Sequence, residues 1–485
     1  MNAKQPPWAL AMATGTALLS PLLGLDMLLE GGYHDTQRGL QLAVLGAVAL
    51  LSLQQLHTGA VRWPGMATPS LWLGLLAGAL GGLSSILAAF PAQAAFELGM
   101  FFFLFLTAWR IAAEVAPASS VRIPQALAWV VAGSLLYGFK ALLVYVIALM
   151  IGGQPHPANL IHGFDNYRFL NHGQTVTLPL LGLFICLVPG ADVRNRRWRA
   201  AGWVALVLWW MLLFMTAGRG TLIAVVVAMS VVGFWRQSLA WPWVRTMGLG
   251  AVVGLLAYGV LYVGVPICLG LEPFGFLGHV VQRSFDNPGS SRWALWTCAV
   301  QMVVQHPWLG AGPLHYAQAC APLGIAAHPH NWVLQVAAEW GLLALVCLCA
   351  VLAMAGRALY RCGAALDAKD ERGQAVLTCW LATGCAVALD GLVSGLVVMP
   401  VSQLWIAVYA GLAWGWCHKV RPRAESPVAV SRAWRWVAGA AVLAVGCMLT
   451  VGVAATLASS HSAQSAGLRL APRAWGSGFF GVVPP

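Results

Sequence analysis

Arginine and histidine carry the chemistry that this sequence could do. Arg219 stands in Ala217-Gly218-Arg219-Gly220, a very tight link between two long apolar stretches. Held there, a guanidinium offers a planar fork of donors to a phosphate. The plainer alternative is an interfacial arginine that snorkels to headgroups. Arg292 opens a stretch of helical apolar spacing, 291–305, which carries Trp293 and Trp296 and which Ser291 can cap. A helix start favours anions through its free amides and dipole, and an arginine there strengthens the preference. A surface anchor is the alternative. Arg168 and Arg283 are weaker versions of the same idea. The third position is His328-Pro329-His330-Asn331, which leads into another apolar stretch. There Asn331, Gln335 and Glu339 recur at helical spacing and so share one face. A carboxylate and two amides on one face inside a membrane are expensive, and point to a functional site by default. His328 and His330 could share a zinc ion, but such a pair without a third ligand nearby is a poor metal motif. Anion-binding arginines beside titratable imidazoles are what an anionic substrate and a proton transfer would need.

The elements that must position these residues are membrane helices. Of 485 residues 60% are hydrophobic and only 9% are charged, against about 25% in a soluble domain. Mean hydropathy is +0.76. A soluble or disordered chain is excluded. So is a single anchor with a soluble head, because the apolar residues run the whole length. Spans of about 20 residues fit thirteen times, the first at 8–25 and the last at 434–458. The expected fold is an all-α polytopic membrane protein with about 12–14 transmembrane helices. It divides into a bundle of nine spans (1–267), a large loop with an amphipathic helix (268–331), four further spans (332–458) and a short tail (459–485).

The net charge of +12 fits the positive-inside rule better than a nucleic-acid partner. With the amino terminus inside, most Lys and Arg fall on the inner side and most of the 12 His on the outer. No cleavable signal is evident. Of 11 cysteines, Cys268, Cys298 and Cys320 belong to the outer loop. They permit at most one bridge among themselves, with Cys268–Cys320 the pair to test. Glu97, Lys140 and Asp390 fall inside spans. They would support transport, or could equally be structural pairs between helices. Transport also predicts inverted repeats and broken spans near the midplane, and neither is visible in the sequence.

Residues 292–341 resemble the central signature of the O-antigen ligase and polymerase superfamily. The matching pieces are Arg292-Trp293-Ala294-Leu295-Trp296, His306-Pro307-Trp308-Leu309-Gly310-Ala311-Gly312-Pro313, and His330-Asn331 followed by Gly341. Gly218-Arg219-Gly220 fits the same pattern, as does the loop arginine ahead of Gln174 and Leu178-Pro179-Leu180-Leu181. The resemblance covers about 165–345 well and the remainder only as hydropathy. It implies a glycosyltransferase of the bacterial inner membrane, with its site facing the periplasm and no cofactor. The donor would be a glycan on undecaprenyl pyrophosphate. The acceptor would be lipid A core, another repeat unit or a protein hydroxyl. Arg219 and Arg292 would hold the pyrophosphate, His330 would be the general base, and Arg168 a lesser contact. Asn331, Gln335 and Glu339 would orient the loop and the histidine. One dominant outer loop and a short final segment favour the ligase over the polymerase and the protein-modifying branch.

Overall fold

The computed structural model describes residues 6–24, 32–58, 68–188, 192–275, 292–420, 432–465, 470 and 472–478. These form helices and turns, with no β-strand among the described residues. The principal helices are α1 (Trp8–Leu23), α2 (Tyr33–Thr58), α3 (Thr68–Leu87), α4 (Pro91–Val115), α5 (Ser119–Met150), α6 (Phe169–Leu187) and α7 (Val193–Met215). They continue with α8 (Arg219–Arg236), α9 (Trp241–Cys268), α10 (Arg292–Gln305), α11 (Trp332–Ala365), α12 (Glu371–Asp390), α13 (Pro400–Val420) and α14 (Arg432–Ser465). Among the described residues ten stretches are long and apolar enough to cross a membrane, and one of them, Pro91–Met150, holds both α4 and α5. α1 is a shorter apolar helix and α13 is largely buried in the bundle. Each of the thirteen expected spans is helical.

Helix α6 is the hub. It is buried on all sides and packs against α5, α7, α9, α12 and α13. A second group places α4 between α13 and α14. Lipid tails are as apolar as leucine, so such contacts depend on close approach and on hydrogen bonds rather than on the hydrophobic effect. Gly411 and Gly415 of α13, one turn apart, show how. A side chain on Gly411 would come within 2.7 Å of the Ala108 carbonyl of α4, and one on Gly415 within 2.9 Å of the Ala112 carbonyl.

Helix α11 is not continuous. Gly341, with φ +84° and ψ 167°, breaks it into a short leading piece, residues 332–340, and a long one. The backbone groups freed by the break are taken up by the loop at 307–312. Leu342 N–H donates to the Pro307 carbonyl at 2.8 Å, while Ala311 and Gly312 donate to the carbonyls of Ala338 and Glu339 at 2.9 and 3.0 Å. A side chain on Gly341 would meet the Trp308 carbonyl at 2.1 Å, and one on Gly310 the Glu339 backbone at 2.3 Å. The sequence gives no sign of a broken span. The break arises because a glycine lets a second backbone cross the helix.

Helix α10 is amphipathic, as its spacing predicts. Leu295, Ala299 and Met302 face inward onto Tyr316, Cys320, Ala326 and Ala338. Trp293, Val300 and Val304 face outward. The cap expected at Ser291 lies outside the described residues. Cys298 of α10 is joined to Cys320 by a disulfide, with their Cα atoms 6.2 Å apart. The Cys268–Cys320 pairing is therefore corrected. Cys268 is an exposed free thiol at the end of α9, whereas Cys298 and Cys320 lie on the two segments that α10 packs together.

The charges inside the spans are bound within the protein. Lys140 Nζ donates to the Leu22 carbonyl at 2.8 Å. Glu97 pairs with Arg473 at 2.7 Å, and Asp390 accepts from two threonine hydroxyls.

Candidate active site

Four helix starts come together at one end of the bundle. Arg168 caps α6, Arg219 is the first residue of α8, Arg292 is the first of α10, and His330 immediately precedes Asn331, the cap of α11. Each start carries free amides and the positive end of a helix dipole. The three arginines are exposed and the histidine is half-buried. Their charges act on one another. Partial burial makes the Arg292 guanidinium easier to deprotonate, Arg219 and Arg168 add to that, and Asp390 opposes it. The result is a cluster of three accessible cations with an imidazole among them.

Sequence dictates how Arg219 is held. α7 ends at Met215, and Ala217 takes a left-handed turn at φ +52°. Gly218 and Gly220 then lie against polar side chains. A Cβ on the first would sit 2.6 Å from Asn171 Oδ1, and one on the second 2.9 Å from Asp390 Oδ1. Beneath the turn, Asn171 donates to Thr216 at 2.7 Å and to Gln174 at 2.8 Å. Thr175 and Thr221 donate to Asp390 Oδ2 at 2.5 and 3.0 Å. Asp390 Oδ1 is buried without a hydrogen-bond partner.

His330 is fixed from several directions. Its backbone is left-handed, with φ +54°, an uncommon conformation for a residue with a side chain. Its N–H donates to Nδ1 of His328 at 3.3 Å, and the two rings lie 4.1 Å apart. His328 is fully buried, and burial, with His330 and Arg473 nearby, keeps it neutral. Since its Nδ1 accepts, its proton belongs on Nε2. Trp296 of α10 donates to the Pro329 carbonyl at 3.0 Å, and Trp332 N–H donates to the Gly391 carbonyl at 2.9 Å. Asn331 Oδ1 accepts from the amides of Val333 and Leu334, both at 3.0 Å. Burial first, then Arg292 and His172, push His330 down to about 3 from the usual 6.5. At neutral pH it is an uncharged imidazole able to accept a proton.

The other expected residues divide. Asn331, next to His330, caps α11. Gln335 and Glu339 do lie below it on the same face, but they turn to the interior. Gln335 donates to Glu97 at 3.2 Å, while Glu339 accepts from the Tyr316 amide at 2.8 Å and is held by Arg473. His328 supports His330 from beneath. Arg283 lies outside the described residues. Among those described, no three His, Cys, Asp or Glu side chains are grouped as metal ligands. Three neighbours of the site were not singled out from the sequence: His172 beside His330, Asp390 beneath Arg219, and Arg473 at the far end of the chain. Sequence spacing gave no signal for Arg473. His172 and Asp390 were visible only as one loop histidine among many and one charge in a span.

Residues 204–349 match a family model described as O-antigen ligase. The match takes in Arg219, Arg292, His328, His330 and the break at Gly341, while Arg168 and Arg473 lie outside it. No curated protein matches the chain. The apolar helices mark the chain as a multi-pass membrane protein, and its central segment, residues 204–349, is similar to the O-antigen ligase family.

Proposed function

We propose that the protein is an O-antigen ligase of the bacterial inner membrane. It would move a glycan from undecaprenyl pyrophosphate to a hydroxyl of lipid A core oligosaccharide, with its site open to the periplasm. The observation that carries this reading is the gathering of Arg168, Arg219 and Arg292 around a neutral His330 at four helix starts.

The chemistry follows from that arrangement. The arginine forks bind the oxygens of the pyrophosphate, helped by the amides of the helix starts. His330 takes the proton of the acceptor hydroxyl as its oxygen attacks the anomeric carbon. The bond from that carbon to the pyrophosphate oxygen breaks. The carrier departs with the electron pair, and the arginines stabilise the developing charge. Attack opposite the leaving group inverts the anomeric carbon. Pyrophosphate is already a good leaving group and needs cations more than an acid, so three guanidiniums serve where a metal would otherwise stand. Activity is expected to persist in chelator.

The test is a lipopolysaccharide gel with a lipid-linked glycan assay, from a strain lacking the gene. Loss of the ladder with long chains held on the carrier supports the ligase. A core bearing one repeat unit would make the protein a polymerase. An unchanged ladder removes both and directs attention to glycans missing from periplasmic proteins.

A further inference from the structure

Leu470 and residues 472–478 are not a loose end. Leu470, Arg473, Ala474, Trp475 and Ser477 are buried among α2, α4, α11 and α14. The first turns of α2 hold the backbone of this segment. His34 Nε2 and Arg38 Nη2 both donate to the Arg473 carbonyl, at 3.1 and 2.8 Å, and Arg38 Nε donates to Ala474 at 3.1 Å. Asp35 accepts from the Gly476 amide. Trp475 donates to Thr456 at 2.9 Å. The backbone of Arg473 is thus set by side chains on a different helix.

Its side chain reaches the segment that carries His330, and grips it at both ends. Nη1 donates to the Ala327 carbonyl at 3.1 Å, just ahead of His328, and to Glu339 Oε1 at 2.6 Å, just ahead of the break at Gly341. Nη2 donates to the other Glu339 oxygen and to Glu97 of α4 at 2.7 Å. Glu97 in turn accepts from Gln335 and from the Leu314 amide. Between those grips lie His328, His330 and the leading piece of α11. A helix interrupted at a glycine has no continuous hydrogen-bond ladder across the break to fix it. Its position is set from outside the helix, by the backbone of 307–312, by the Gly391 carbonyl and by the grip of Arg473.

We propose that Arg473 is a positioning residue. It sets where the short leading piece of α11 sits, and through it the placement of His330 among the three arginines. This rests on the reading of His330 as the general base. The gain from such placement is large, because a small misalignment of a base costs orders of magnitude in rate.

The test separates placement from stability. Removing Arg473 alone strands two buried carboxylates, so that variant is expected to unfold. The informative variant neutralises the whole cluster: Arg473→Met with Glu97→Gln and Glu339→Gln. Its expected behaviour is a melting temperature near wild type, undiminished binding of farnesyl pyrophosphate as a donor probe, and kcat at least tenfold lower with KM for donor within about twofold. Arg473→Lys keeps the charge but cannot span a carbonyl and two carboxylates, and is expected to fold and to show a smaller fall in kcat. Wild-type kcat in either folded variant overturns the proposal. So does a parallel loss of donor binding, because Arg473 would then shape the whole site rather than one helix piece. If His330→Ala itself is fully active, the base assignment falls instead, and the two failures are told apart.

Discussion

Two arginine clusters among the described residues are built on opposite principles. Arg38 and Arg473 are almost wholly buried, and their hydrogen-bond partners are all acceptors: six carbonyls or amides and two carboxylates. Arg168, Arg219 and Arg292 are exposed, lie at helix starts, and feel one another as like charges. Buried guanidiniums are tolerated only when nearly all of their donors are met. Gathered, accessible ones raise the local potential and attract an anion. The same residue type therefore builds the structure in one cluster and faces the ligand in the other. What gives the two their different roles is burial and partners.

Mutation should divide along the same line. The largest effect belongs to His330→Ala, expected to lower turnover by about 10²–10⁴-fold, the usual worth of a general base. Its melting temperature should change little, because the ring is only half-buried. An unchanged rate would remove the histidine from the mechanism. Arg292→Met should resemble it, with turnover or donor affinity lower by about 10²–10³-fold and stability intact. Arg473→Met alone should do the reverse, costing about 3–5 kcal/mol of stability through uncompensated buried carboxylates. If Arg292→Met unfolds the protein, or Arg473→Met melts like wild type, the contrast between the clusters fails.

The reading of the sequence reached unequal depths in these two regions. The thirteen helices follow from runs of apolar residues, which any bilayer selects. Arg219, Arg292 and His330 could be named because each stands beside a residue type that favours a helix end or start: Gly218 and Gly220, Ser291, Asn331. Local chemistry marks such places. Arg473 had no local mark. Its partners Glu97 and Glu339 lie 376 and 134 residues away in the chain, and only the folded bundle joins them. Glu339 was visible as a carboxylate on the His330 face, but the sequence could not tell whether it turned to substrate or to protein. The break at Gly341 was hidden for a similar reason. One glycine in an apolar run is ordinary until a distant backbone, here that of 307–312, lies across it.

That crossing gives a prediction of intermediate size. Gly341→Ala would place a methyl group 2.1 Å from the Trp308 carbonyl on a backbone with φ +84°, which strains both chains. The expected cost is about 1–3 kcal/mol, with turnover falling as well, since the piece carrying His330 must shift. Gly356 of the same helix has open space around it, and Gly356→Ala should leave both properties unchanged. Equal behaviour of the two glycines in thermal melts would mean that the break is not needed.

The smallest effect is the most specific, and it concerns pH. His330 is held near 3 by burial, with Arg292 and His172 adding to the shift. The base is active when neutral, which means above its pKa. In the free enzyme, then, the rate should not fall as pH drops through 6.5, and the acidic limb of kcat/KM should lie well below it. A bound pyrophosphate diester brings negative charge beside the ring and stabilises the imidazolium, so the limb of kcat, which reports the complex, should lie at higher pH. Arg292→Met removes one of the repelling cations. It should move the kcat/KM limb upward, but by less than the full distance to 6.5, because burial is the larger cause. A wild-type kcat/KM limb at 6.5 would mean that the imidazole is solvated and that the arginines do not act on it.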